Sequence, residues 1–152
     1  MIKIDDLDLT ILSELSEDAS ISVPKLSKKI KVNPSVVYSR IKRLIKRKLI
    51  ERFTIVVNDH ELGYGVKALT GINMDSKQRD NVIEELFKIS GVREIAEVTG
   101  RFDIIVTMYA KSLDEMHRII SDKIGRIDGV LSSESFIEMK SRTKSMPYMP
   151  SK

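Results

Sequence analysis

Apolar positions in the first third of the chain recur every three or four residues, the period of a helix with one buried face. In DDLDLTILSEL, Leu7, Ile11 and Leu15 fall at i, i+4 and i+8 with Ile4 and Leu12 beside them, and Asp5 and Asp6 stand where carboxylates suit a helix start. SVPKLSKKI follows with Ser22 as a candidate N-cap, Pro24 in the first turn, and Leu26 and Ile30 on one face, which predicts a short second helix. A third helix is predicted over NPSVVYSRIKRLIKRKL, with Asn33 as N-cap, Pro34 at the first helical position, and Val37, Ile41 and Leu44 turned inward. Two helices joined by a tight KVN turn form a helix-turn-helix.

From Ile50 the period shortens to that of a strand. LIERFTIVVN, with Ile50, Phe53, Ile55 and Val57, reads as an extended strand closed by Asn58-Asp59, and a lone strand is expected to pair with another chain or to pack on the following half. The glycines of ELGYG put a domain boundary between residues 58 and 65. Beyond it, VKALTGINM is a strand, and SKQRDNVIEELFKIS a helix with Ser76 as cap, Val82, Leu86 and Ile89 inward, and Gly91 as the glycine just past its end. VREIAEVT is a strand, and VTGRFDIIV a tight glycine hairpin leading into the strand DIIVTMYA. Ser112 to Glu115 forms a capping box for a helix through Met116, Ile119, Ile120 and Ile124, and VLSSESFIEM is the last strand. The predicted class is α+β: a helix-turn-helix (winged-helix-like) domain over 1–52, a linker strand and hinge over 53–65, a ferredoxin-like βαββαβ domain over 66–141, and a tail over 142–152 containing Pro147 and Pro150. With both helices on one sheet face, apolar residues on the other face call for a cover, and a second copy of the same sheet supplies one.

Charge sharpens the division. Residues 22 to 52 carry eleven Lys or Arg against one acid, Glu51, whereas residues 53 to 152 carry fourteen against fifteen. A basic block inside an ordered segment is the footprint of a polyanion partner, or else a solvated helix face. The exposed side of the third helix decides for double-stranded DNA, since no acid lies between Pro34 and Leu49 to pair with its cations. Asn33, Pro34, Ser35, Tyr38, Ser39, Arg40, Lys42, Arg43 and Lys46 are the candidate contacts, N-terminal ones to base edges and C-terminal cations to phosphates. Tyr38 reads equally as a surface packing residue with a wet hydroxyl. The chain has no Cys and only two His, His60 and His117, far apart, which argues against a metal site and against thiol or imidazole catalysis. No paired acid–base groups stand out, so an enzyme is not expected. No run approaches the roughly 18 apolar residues of a membrane span, and MIKIDDLDL lacks the form of a signal peptide, which makes a cytoplasmic protein the expectation.

In order along the chain, LDLTILSEL, VNPSVVYSRIKRLIKRKLI, LGYG and VTGRFDIIV resemble the corresponding motifs of the Lrp/AsnC family of amino-acid-responsive transcription regulators, over roughly residues 5 to 140. The resemblance implies sequence-specific DNA binding, dimers that assemble further, commonly to octamers, and no cofactor other than an amino-acid effector held between dimers, with a leaning to glutamine. It also implies that the hairpin residues Thr99, Gly100, Arg101, Phe102 and Asp103, with Ser133 and Ser135 of the last strand, line the effector pocket. Taken by themselves, the hairpin residues also fit a simple turn, with Gly100 at positive φ, Asp103 as a cap and Arg101 solvated. The alternative function is an architectural DNA-wrapping protein with little sequence choice and no effector. The chain departs from the family pattern at Lys31 and Lys48, where relatives often carry Gly, and a left-handed residue there would cost a side chain about 1 kcal/mol. It departs again at Arg101, where an acid is frequent, and that change favours a neutral or acidic amino acid over a basic one.

Overall fold

The computed structural model describes residues 3–144 and 148. The chain divides into two compact units, one of residues up to Val56 together with the segment from Arg142 onward, the other Val57–Ser141. Pro147 and Pro150 of the tail lie outside the described residues.

The first unit is built on three helices, α1 (Asp6–Glu17), α2 (Val23–Ile30) and α3 (Pro34–Lys46). Each starts where a side chain takes an unpaired backbone N–H. Asp5 accepts from the Asp8 N–H at 3.0 Å while the Asp8 carboxylate accepts from the Asp5 N–H at 3.3 Å. Ser22 accepts from Lys25 N–H at 3.4 Å, and Asn33 from Ser35 N–H at 2.9 Å with Pro34 next to it. Such caps contribute on the order of 1 kcal/mol each. Ile11, Leu26, Val37 and Leu44 form the buried centre, ringed by partly buried Leu7, Leu15, Ile30 and Ile41.

Two lysines close the turns. Lys31, the C-cap of α2, has φ 56° and ψ 44°, and Lys48, two residues beyond α3, has φ 57°. Both turns adopt the left-handed geometry that glycine takes most easily, and lysine bears the steric cost. The α2–α3 turn is further held by the Ser27 hydroxyl, which donates to the Val32 carbonyl at 2.5 Å.

Beneath α3 lies a carboxylate that helical periodicity alone did not mark. Asp8 is 1% exposed, and its oxygens accept from Arg43 Nη2 at 2.5 Å and Arg40 Nη1 at 3.2 Å. Arg40 also pairs with Asp5, so two acids of α1 hold two cations of α3.

The strand expected over residues 50–58 does not form within this chain: residues 51–65 carry no strand, and Ile55 and Val56 lie in solvent. A single extended segment has no ladder of its own and becomes a strand only against another edge.

The second unit runs β1 (Val66–Met74), a 3₁₀ turn (Ser76–Gln78), α4 (Arg79–Phe87), β2 (Val92–Glu97), β3 (Ile104–Ala110), α5 (Leu113–Arg118) and β4 (Val130–Ile137). α5 continues through a π turn, Ile119–Lys123, and a 3₁₀ turn, Ile124–Arg126. The strands lie in the order β2-β3-β1-β4 with every neighbouring pair antiparallel, the ferredoxin-like arrangement. Val82, Leu86, Met116, Ile119 and Ile124 from the helical segments pack with Ala68, Ile72, Ile104, Val106 and Met108 of the strands, so the helices share one sheet face. Two local expectations are corrected. The cap before α4 is Asp75, whose side chain accepts from Lys77 N–H at 2.9 Å, and Ser76 begins the 3₁₀ turn that precedes α4. Gly91 does not close the helix at positive φ; a Cβ there would lie 2.7 Å from the Tyr109 carbonyl oxygen, so it is a close-approach glycine.

The opposite sheet face is mixed, with exposed Leu69 and Phe136 between Lys67, Glu134 and Glu138. At Gly71 the missing side chain admits the Phe102 ring, since a Cβ there would meet ring carbons at 2.3–2.6 Å. Replacing Gly71 with Ala is expected to drive Phe102 off β1 and cost about 1–3 kcal/mol in denaturant unfolding; a cost near zero would show that the ring is not seated there. The Asp5–Arg40 pair makes an acid-sensitive contribution. The Arg40 guanidinium, and then the Asp8 N–H, hold the Asp5 carboxyl below the usual aspartate range. Its stabilisation is therefore present above the unfolded value, near 3.9, and is lost as pH falls through the lower folded one. Melts between pH 5 and 2 should show Asp5→Asn less stable than the native protein at pH 5, with the gap closing toward pH 2; a constant gap would contradict the assignment.

Candidate DNA-reading helix and effector hairpin

The solvent side of α3 is assembled from its start signal downward. Asn33 ends the turn, Pro34 fixes the first helical φ, and the Ser35 hydroxyl donates to Asn33 Oδ1 at 2.7 Å, so the N-terminal residues are ordered and exposed. One turn later Tyr38 projects from the helix, 53% exposed, with Lys42 Nζ 5.1 Å from its ring centre. That geometry sets aside a packed role for the ring and leaves a cation-backed aromatic face. Ser39, Lys42 and Lys46 are exposed as well. Arg40 and Arg43 are placed differently from these residues: both are partly buried and turned onto α1, and the hydrogen bond that Arg40 donates to the Asp5 carboxylate raises the Arg40 pKa further above its already high value. Lys29 is similarly paired with Glu14. Among the described residues, Lys25, Lys28, Lys31, Lys42, Lys46, Arg47 and Lys48 have no carboxylate within 4.0 Å. The basic block thus splits into cations that brace the helices and cations that face water.

In the second unit the hairpin between β2 and β3 is fastened at its base. Val98 N–H donates to the Asp103 carbonyl at 3.1 Å, and Asp103 N–H donates to the Ile72 carbonyl at 3.1 Å. Asp103 Oδ2 accepts from Met74 N–H at 2.9 Å, which leaves the other carboxylate oxygen without a hydrogen bond among the described residues. Gly100 has φ 142° with nothing within 4 Å of where its Cβ would be, so the tip is open backbone beside exposed Thr99. Arg101 is not solvated alone. Its Nη2 lies 2.9 Å from Glu134 Oε2, and its guanidinium stands 5.5 Å from the Phe102 ring centre.

The two serines do not join this group within one chain. Ser133 pairs across the ladder with Ile72 and Ser135 with Thr70, whereas Glu134 pairs with Gly71, under Phe102. Residues opposite one another share a face, so Ser133 and Ser135 point to the helix side while Arg101, Phe102 and Glu134 gather on the open side. Ser135 Oγ lies 2.7 Å from the buried Thr70 hydroxyl. Glu134 is the site residue that motif reading missed, although it alternates with the two serines in SSES and so must face the other way. A cavity of ≈ 350 Å³ elsewhere in this unit is lined by Tyr64, Lys67, Tyr109 and Glu138 and includes none of the hairpin residues. No group of three or more potential metal ligands is clustered among the described residues, and no helix of the structure is long and apolar enough to cross a membrane.

Comparison with known proteins follows the same division of the chain. Residues 4–45 match the AsnC-type helix-turn-helix domain, and residues 67–148 match the Lrp/AsnC ligand binding domain. The HTH-type transcriptional regulator LrpA of Pyrococcus horikoshii is 35% identical over 127 residues, covering 84% of this chain and 90% of that protein. The structure of E. coli AsnC superposes with a TM-score of 0.87 at 26% identity, over 97% of this chain and 99% of that one. A transcriptional regulator of Neisseria meningitidis, solved as a complex with L-Met, superposes with a TM-score of 0.90 at 18% identity, over 95% and 96% of the two chains, and shows a shared fold. With helix-turn-helix and ligand-binding domain both matched in order, the chain belongs to the Lrp/AsnC family of transcription regulators.

Proposed function

We propose that the protein is a sequence-specific transcription regulator that inserts α3 into the major groove and responds to a neutral amino acid at the β2–β3 hairpin. The observation that carries the DNA half is the exposed face of α3, where Ser35, Tyr38, Ser39, Lys42 and Lys46 combine hydrogen-bonding groups, an aromatic ring and cations with no neighbouring acid. A two-fold dimer would present two such helices to half-sites about one helical turn, or a multiple of it, apart. Exposed Leu69 and Phe136 on the open sheet face support pairing with a second copy, and further assembly to an octamer is part of the proposal.

For the effector, the open backbone at Gly100 suits a carboxylate and the uncommitted oxygen of Asp103 suits an ammonium. Arg101 is charge-balanced by Glu134, so a side chain of either sign meets no uncompensated partner there. Glutamine fits this description, and the Neisseria protein's complex with L-Met supports a neutral amino acid in a protein of the same fold. Because Ser133 and Ser135 face the other way in one chain, their part in the pocket requires a neighbouring copy to bring them to a hairpin. Action in the cytoplasm belongs to the same reading.

Thermal melts with each of the twenty amino acids are the direct check on the effector. A ligand at 100 times its Kd should add about 2.7 kcal/mol of stability, and the responders should be neutral. No shift with any of them would remove the effector. Nuclease footprinting on genomic DNA then tests the DNA half: discrete, regularly spaced protection is expected, whereas uniform coverage would favour an architectural protein without sequence choice.

A further inference from the structure

Lys31 and Lys48 occupy backbone that a lysine does not favour. Their φ values are 56° and 57°, and they are the only non-glycine residues at positive φ among the described residues. At such positions glycine removes the clash between Cβ and the carbonyl oxygen, and asparagine tolerates it. A strained residue that persists is a pointer to a role for its side chain. Both side chains are exposed and have no carboxylate within 4.0 Å among the described residues.

Their placement supplies the role. Lys31 precedes the Asn33 cap of α3 by two residues, and Lys48 follows the last helical residue, Lys46, by two. α3 has 13 residues, hence a length of about 20 Å, whereas the major groove is about 12 Å wide. Seated in the groove with its N-terminal residues at the base edges, a helix of that length carries its two end turns toward the sugar-phosphate backbone. Meanwhile the cations midway along α3, Arg40 and Arg43, are held by Asp5 and Asp8. Lysine also suits the task, since its ammonium meets a phosphate as a point charge and needs no planar fork.

We propose that Lys31 and Lys48 are phosphate contacts that fasten the two ends of α3 to the sugar-phosphate backbone, and that Arg40 and Arg43 position the helix. The proposal rests on the DNA-binding reading above. It makes the two left-handed turns part of the binding surface, each trading local backbone ease for a cation at a fixed place. The clamp is indifferent to base sequence, because phosphodiesters carry none, and so it acts on specific and non-specific duplexes alike.

The test combines two measurements that a merely structural role would move together and this one moves apart. The full chain and its Lys31→Gly, Lys48→Gly and doubly substituted variants are melted, and their affinity for a mixed-sequence 40-base-pair duplex is measured by anisotropy across KCl concentrations. Each Gly variant should melt a few degrees higher, while the slope of log affinity against log salt becomes shallower by about 0.9 per lysine removed. Lys31→Asn and Lys48→Asn should flatten the slope as Gly does, and the Lys→Arg variants should keep the native slope. Gly variants that melt higher with an unchanged slope would overturn the clamp while leaving DNA binding intact, and Gly variants that melt lower would overturn the strain on which it stands. A native slope near zero would overturn the DNA-binding reading and the clamp with it.

Discussion

A carboxylate with almost none of its surface in water needs partners for its oxygens, and those of Asp8 accept from two guanidiniums, Arg40 and Arg43. That requirement links the first helix to the third. It fixes the rotation of α3 about its own axis, because Arg40 and Arg43 must face α1 for the charge to be met, and the helix then turns Tyr38, Ser39 and Lys42 outward. Apolar burial of Val37 and Leu44 allows some latitude in how the helix rolls. A carboxylate that accepts from two guanidiniums, at 2.5 Å and 3.2 Å, allows much less. The same pairing lowers the number of cations available to a polyanion, so the binding surface is smaller and better defined than the count of basic residues implies.

The second unit shows a comparable economy. Asp103 ties the hairpin to β1 through Met74 N–H, Phe102 lies on the bare backbone of Gly71, and Arg101 reaches across to Glu134 on β4. These contacts span β2–β3, β1 and β4, so a ligand at the hairpin tip would be read by both edges of the sheet. Glu134 gives the hairpin its electrical balance. It also gives Arg101 a partner on β4, while most of that side chain stays in solvent.

Much of this was legible in the sequence because it is governed by local rules. The Asn33-Pro34 start of α3, the acidic start of α1, the cap at Ser22, and the strand–helix order after Val66 each rest on a few adjacent residues, and each is where the pattern puts it. The glycine hairpin and the two turns at Lys31 and Lys48 were marked by the sequence motifs. What escaped is set by pairing at a distance. Asp8 carries no sign of burial until α3 lies beside it. Arg40 and Arg43 read as groove cations until Asp5 and Asp8 claim them. The faces of Ser133 and Ser135 depend on ladder register with β1, and Gly91 on how close the Tyr109 carbonyl comes. The segment around Phe53 and Ile55 has the composition of a strand but pairs with no strand among the described residues.

The proposed function sets the outward face of α3, as oriented by the Asp8 pairing, against DNA. The chain contains no cysteine, so a photo-crosslinker can be attached at one chosen position. Attached through Ser39→Cys, midway along α3, it should crosslink to duplex DNA on illumination, and attached through Glu84→Cys on the exposed side of α4 it should not. Crosslinking from the α4 position with none from α3 would contradict the account.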